Sequence, residues 1–185
     1  MTARQLGTLL FLAAVSAAAF AQKSDKLPGS DARFLQKAAV GGMAEVEMGR
    51  LAQEKAMRDE VKQFGTRMVE DHGKANEELK KVAAANGVAL PAATDDKHRK
   101  LIDKLSKQVG PDFDRGYMKE MLKDHKEDVK EFRKRAKGKP ANDVQALAAN
   151  SLPTLESHLQ AAQATYDIAA ASKRTGTRET GSAKK

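Results

Sequence analysis

Apolar residues recur three and four positions apart through most of this chain, and runs that alternate apolar with polar are missing. That spacing places them on single faces of helices. Ala, Lys, Glu, Leu and Gln dominate, which favours helix further. Five helical segments follow. The first covers residues 31–55, with Ser30 or Asp31 as cap. The second covers 59–86 and stops at Asn86-Gly87, a common helix-ending pair. A loop with Pro91 leads to a short helix over 95–108. The fourth, 111–137, is bounded by Gly110-Pro111 before it and by Gly138 and Pro140 after it. The fifth covers 142–171 and contains Pro153, where a kink is expected. Four segments of about 25 residues are each about 38 Å long. The prediction is an all-α fold: an antiparallel four-helix bundle, with the Pro91 loop and short helix as the longer connection between two hairpins. The junction between Lys55 and Asp59 contains no Gly or Pro and is poorly marked.

The two ends read differently. Arg4, an uncharged and mostly apolar stretch, and Ala19-Phe20-Ala21 match a secretory signal cut after Ala21. Residues 22–30 form a linker, 31–171 the bundle domain, and 172–185 a tail rich in Ser, Thr, Gly and Lys, expected to be disordered. The expected location is periplasmic or secreted, with no membrane-spanning segment in the mature chain. The formal net charge of +8 owes much to the tail, which carries Lys173, Arg174, Arg178, Lys184 and Lys185 against Glu179. The tail allows peripheral contact with an anionic membrane. The body lacks the basic, aromatic-interleaved face of a nucleic-acid binder, so no nucleic-acid partner is expected. Without cysteine there is no disulfide, no thiolate metal site and no lipoprotein anchor.

Residues 64–83 and 117–136 align without a gap at a shift of 53. Phe64 matches Tyr117, Met68 matches Met121, and Asp71-His72 matches Asp124-His125. Compositional similarity explains the Lys and Glu matches of two amphipathic helices. It explains the coincident histidines less well. His72 falls on a stripe with Val61, Phe64, Met68, Ala75, Leu79 and Val82. His125 falls with Tyr117, Met121, Val129 and Phe132. His158 falls with Val144, Leu147, Ser151, Leu155, Ala162 and Tyr166. His98, in the polar short helix, is expected at the surface. On the first helix Glu45 lies in a stripe of small residues, Ala38, Gly42, Gly49 and Ala52, where another helix can approach; Glu47 lies off that face. A buried carboxylate needs a partner. Three core imidazoles and Glu45 can satisfy one another as a hydrogen-bonded network, or bind a metal as neutral nitrogen and carboxylate ligands. Asp71, Asp124 and Glu156 point about 100° or more away from their histidines. They are expected to be solvated or ion-paired, or to orient an imidazole from a neighbouring helix.

Several blocks resemble a known family in the right order. They are Gly41-Gly42-Met43-Ala44-Glu45-Val46-Glu47, Arg67-Met68-Val69-Glu70-Asp71-His72, Phe113-Asp114 with Tyr117, then His125, and Leu152-Pro153-Thr154-Leu155 with His158. Over about residues 31–170 the chain resembles the bacterial domain of unknown function 4142 family, often described as exported or outer-membrane proteins and placed near the ferritin-like fold. The resemblance implies a ferritin-like bundle and export, and no established activity. It points to Glu45, Asp71, His72, Asp114, His125 and His158 as the recurrent polar positions. The Glu-x-x-His pattern of ferritin-like di-iron sites is broken here, because Val69, Leu122 and Leu155 precede the histidines. A single transition metal (zinc, copper or iron) on Glu45, His72, His125 and His158 is easier to build, with Asp71, Asp114, Asp124 and Glu156 around it. Met68 and Met121, one turn before histidines, raise copper as an option.

Three functions fit. One is a metal-binding envelope protein. Another is a non-catalytic envelope or stress protein that meets an unknown partner through its helix surfaces. The third is a histidine-based pH switch. No Ser-His-Asp pattern or phosphate-binding loop is present, and whether the protein is an enzyme stays open.

Overall fold

The computed structural model describes residues 27–176, and side chains to residue 171. The predicted signal segment lies outside the described residues, as do residues 177–185 of the predicted tail, whereas its first five residues, 172–176, continue α5. The elements are α1 (Gly29–Lys55), α2 (Asp59–Ala85), α3 (Asp96–Ser106), α4 (Gly110–Arg135) and α5 (Asp143–Gly176). There is no strand among the described residues. α5 runs through Pro153 and five residues past its predicted end.

Local chemistry sets most of the boundaries. α2 ends where Asn86 and Gly87 turn the chain, Gly87 with a φ of 64° and the Asn86 amide donating to the Val82 carbonyl. Asp95 caps α3 by accepting from the His98 backbone N–H at 2.9 Å. α4 begins with Gly110 at a φ of 54° and Pro111 in its first turn. There the proline's missing donor costs nothing. The α1–α2 break has a different origin. Asp114, from the start of α4, accepts from the backbone N–H groups of Met57 and Arg58, each at 3.0 Å.

α1 and α2 pack antiparallel, so closely that a Cβ at Gly49 or Gly65 lies 2.8 Å from the other residue's carbonyl oxygen. α1 and α4 are also antiparallel. Asp31 meets Arg135 at one end, and the 56–58 turn meets Asp114 at the other. α4 and α5 form the second hairpin, and α2 faces α5. Around the bundle the order is therefore α1, α2, α5, α4, with α2 and α4 parallel across the diagonal. The 86–109 connection must return along the bundle, and α3 packs on α1 and α4 as it does so. A single long crossover of this kind is the connectivity of ferritin-like bundles.

The core has two parts. Toward the Asp114 end, Met48, Phe64, Met68, Phe113, Tyr117, Met118 and Met121 pack together. Toward the other end, Phe34, Leu35, Leu79, Val144 and Ala148 do so. Complete burial of Leu35 or Met48 contributes about 1.5–3 kcal/mol each. Two expectations need correction. Ala75 is exposed rather than core, because it borders a cavity described below. His98 is not at the open surface. Its ring is 16% exposed, held by Asp95. Among the described residues no helix is long and apolar enough to cross a membrane.

Candidate metal centre

Between the two core clusters, α2, α4 and α5 each direct one imidazole inward. His72, His125 and His158 are 6%, 0% and 1% exposed. Their ring centroids lie 5.2–5.5 Å apart, and one ring nitrogen from each falls within 4.8 Å of the others. Helical spacing places each histidine on the inner face, and the small residues of α1 let its carboxylate reach the group. Glu45 is 3% exposed.

The hydrogen bonds divide the ring nitrogens into two sets. His72 Nδ1 donates to Glu45 Oε2 at 2.9 Å. His125 Nδ1 donates to the Met121 carbonyl at 2.9 Å. His158 Nε2 donates to Asp71 Oδ2 at 2.9 Å. These bonds assign the tautomers and leave a lone pair on His72 Nε2, His125 Nε2 and His158 Nδ1. Those three nitrogens are the buried ones without a hydrogen-bond partner, and Glu45 Oε1 shares that condition. Glu45 Oε1 is 3.6 Å from His125 Nε2. Converging lone pairs repel one another, and such a group is satisfied by a cation. Ligating histidines characteristically pass their other N–H to a carboxylate or a backbone carbonyl; here two carboxylates and one carbonyl receive them. Three atoms within 4.8 Å of one another have a common point no more than about 2.8 Å from each, so shifts of at most about 0.7 Å bring them to zinc–nitrogen distance.

The electrostatics follow from the same contacts. Burial pushes the Glu45 carboxyl up, but His72 and His125 outweigh it and hold the group at about 2. Burial lowers His72, and Glu45 more than restores it, so this imidazole is raised. Burial lowers His125. It takes His158 down to about 4 despite the bond to Asp71. Asp71 is held low against burial by His158 and by Arg67. Arg67 also donates to the Ser157 hydroxyl, tying α2 to α5 beside the site.

The remaining predicted residues lie elsewhere. Asp114 is 1% exposed but caps the 56–58 turn, eleven residues and about 16 Å along α4 from His125. Glu156 pairs with Arg133 on the outer surface. Asp124 lines a separate cavity between α1 and α4. Burial and the nearby Glu45 charge raise it to about 6. Met68 and Met121 belong to the core cluster. Asp128 was not anticipated. Burial and Glu45 push its carboxyl well up, and its charge in turn acts on His72. Its signal was the spacing of one turn after His125, at a place where the repeat has Ala75.

A family model, the domain of unknown function DUF4142, matches residues 15–165. No curated protein and no solved structure matches the chain. By that match over most of its length the chain belongs to the DUF4142 family.

Proposed function

We propose that this DUF4142 protein holds a single transition-metal ion, zinc, copper or iron, on His72, His125 and His158. The observation that carries the reading is the sorting of the six ring nitrogens. Three N–H groups are anchored by Glu45, Met121 and Asp71, and three partnerless nitrogens are buried together. Three imidazoles suit these metals and leave room for a fourth ligand. Glu45 fixes the orientation of His72 and keeps a free oxygen beside His125. Its negative charge offsets part of a metal's charge in a buried place. Asp71, braced by Arg67, orients His158. A bound metal supplies Lewis-acid or redox chemistry at this position.

The test is elemental analysis of natively purified protein, followed by titration of the stripped protein with zinc, copper and iron. About one equivalent should bind and raise the melting temperature, and His125→Ala should abolish both effects. Protein that carries no metal and shows no thermal response to any of the three would overturn the reading.

The reading also includes export, supported by the basic start, apolar stretch and Ala-Phe-Ala motif of the first 21 residues. Recovery of a shortened chain from the periplasm tests it. Full-length protein confined to the cytoplasm would count against it.

A further inference from the structure

Two cavities touch Glu45. The one between α1 and α4, about 640 Å³, is strongly charged, with Lys37, Lys97, Glu127, Glu131 and Arg135 on its walls, and it reaches none of the three inner histidines. The other is about 530 Å³ and lies in the groove between α2 and α5, open to solvent at exposed residues such as Ala75, Asn150 and Thr154. It extends from Val82 and Asp143 to His72 and His158. Fifteen residues of α5 separate its ends, about 22 Å of helix.

The space exists because small residues face it. Ala38 and Gly41 on α1, with Ala75 and Ala146, leave unfilled what methionine and aromatic side chains fill in the other half of the core, whereas Asn76 packs against Gly42. Its walls are mainly Leu79, Val82, Leu147, Leu155 and Phe132, with the neutral polar groups of Asn150, Ser151 and Thr154 among them. Most of the charge on its boundary is engaged or outward. Glu45 is bonded to His72, Asp71 to Arg67 and His158, and Glu78 to Lys81. Lys74 and Asp143 are exposed. The volume is in the range of small-molecule sites, and the make-up matches theirs: apolar walls with a few polar groups at one end.

We infer that this cavity admits a small uncharged molecule with an apolar body and one Lewis-basic nitrogen or oxygen, and that this atom reaches the metal position, closed off beyond His72 and His158, once those rings shift to hold the ion. The inference rests on the metal reading above. The apolar body is recognised by the leucine, valine and phenylalanine walls. The basic atom is recognised at the end formed by His72 and His158. A free anion is disfavoured by the carboxylates of Glu45 and Asp71, and a bulky hydrophilic ligand by the walls.

The experiment uses the full mature chain loaded with cobalt(II), whose visible bands report its coordination. Three probes separate the parts of the claim: 4-phenylimidazole, imidazole as the head alone, and octanoate as an apolar body with a charged head. 4-Phenylimidazole should shift the bands and bind at least tenfold more tightly than imidazole, with octanoate weaker than 4-phenylimidazole. Ala146→Phe, which fills the cavity away from the histidines, should remove the tenfold preference and leave cobalt affinity unchanged. Ser151→Leu provides the same test if the larger substitution does not fold. Equal affinity for 4-phenylimidazole and imidazole would overturn the inference, as would a preference that survives both fillings. Tighter binding of octanoate would overturn the uncharged class. Absence of cobalt bands overturns the metal reading and this inference together, whereas bands indifferent to every probe overturn the inference alone.

Discussion

Replacing Asp114 by Ala separates the scaffold from the site. The Asp114 carboxylate is 1% exposed and accepts two backbone N–H groups, those of Met57 and Arg58, at 3.0 Å each. Hydrogen bonds to a charged group contribute about 1.5–3 kcal/mol each. The full sum is not lost, because Met57 is 67% exposed and its amide can return to water. A loss of about 2–4 kcal/mol remains. For a chain of this size that corresponds to a fall in melting temperature of about 4–16 °C. Asp114→Asn keeps one accepting oxygen and should lose about half as much. Thermal and urea unfolding measure the loss. Metal titration of the same variants supplies the control, because Asp114 is about 16 Å along α4 from His125. Affinity should stay within about twofold, whereas loss of a residue that orients a ligand costs 10–100-fold. A melting temperature that moves by only about a degree, or affinity that falls tenfold, would refute the assignment of Asp114 to the helix junction.

Three further expectations follow from other contacts. Gly49→Ala drives a methyl to 2.8 Å from the Gly65 carbonyl and 3.0 Å from Val69; backbone cannot yield as a side chain can, so unfolding experiments should show a loss of about 1–3 kcal/mol despite the gain in helix propensity. Asp71→Asn weakens the acceptor for His158 Nε2, and calorimetry should show metal affinity reduced about 10–100-fold with the fold retained. In metal-free protein, His158 is held at about 4 by burial, below its ordinary 6.5; its contribution is complete above pH 6.5 and is lost as pH falls toward 4, on the order of 2–3 kcal/mol after allowance for screening near the partly exposed Asp71. His125 acts in the same direction. The raised His72 acts oppositely and loses its contribution as pH rises. Glu45, at about 2, keeps its contribution down to about its ordinary 4.5 and begins to lose it only at the acid edge of this window. Asp124 and Asp128, both raised, gain stability as pH falls and oppose His158. The test is therefore the difference between variants: from pH 6.5 to 4 the wild type should lose more melting temperature, or gain less, than His158→Gln, and identical profiles would count against the assignment.

The helices were legible because their determinants are local. Apolar residues at steps of three and four fix the inner faces. Asn86-Gly87, Asp95 and Gly110-Pro111 mark boundaries with their own conformational or hydrogen-bonding chemistry. The α1–α2 junction was illegible for a complementary reason. Its cap comes from Asp114, more than fifty residues later, and no window of sequence around Lys55 contains that acceptor. The same fact explains how Asp114 could be grouped with the site. A buried acid stands out in sequence, but whether it serves a turn or an imidazole is decided by which chain ends the bundle brings together.

The site shows where sequence reasoning stops. Periodicity alone places His72, His125 and His158 inward, and the glycines beside Glu45 explain how a carboxylate enters a closely packed core. Neither gives the heights of the rings along the bundle, and those depend on the crossover. Because the 86–109 connection returns along the bundle, α2 and α4 run parallel, and the repeat that relates residues 64–83 to 117–136 becomes spatial: each copy delivers its histidine from the same direction. An up-down-up-down chain would set the two copies in opposite directions. The repeat and the long connection are therefore parts of one device. α5 supplies the third ring and α1 the acid. The small residues that admit Glu45 on α1 also border the cavity that ends at His72 and His158. Filling that face would close the groove beside the imidazoles, which the proposed ligand requires to stay open.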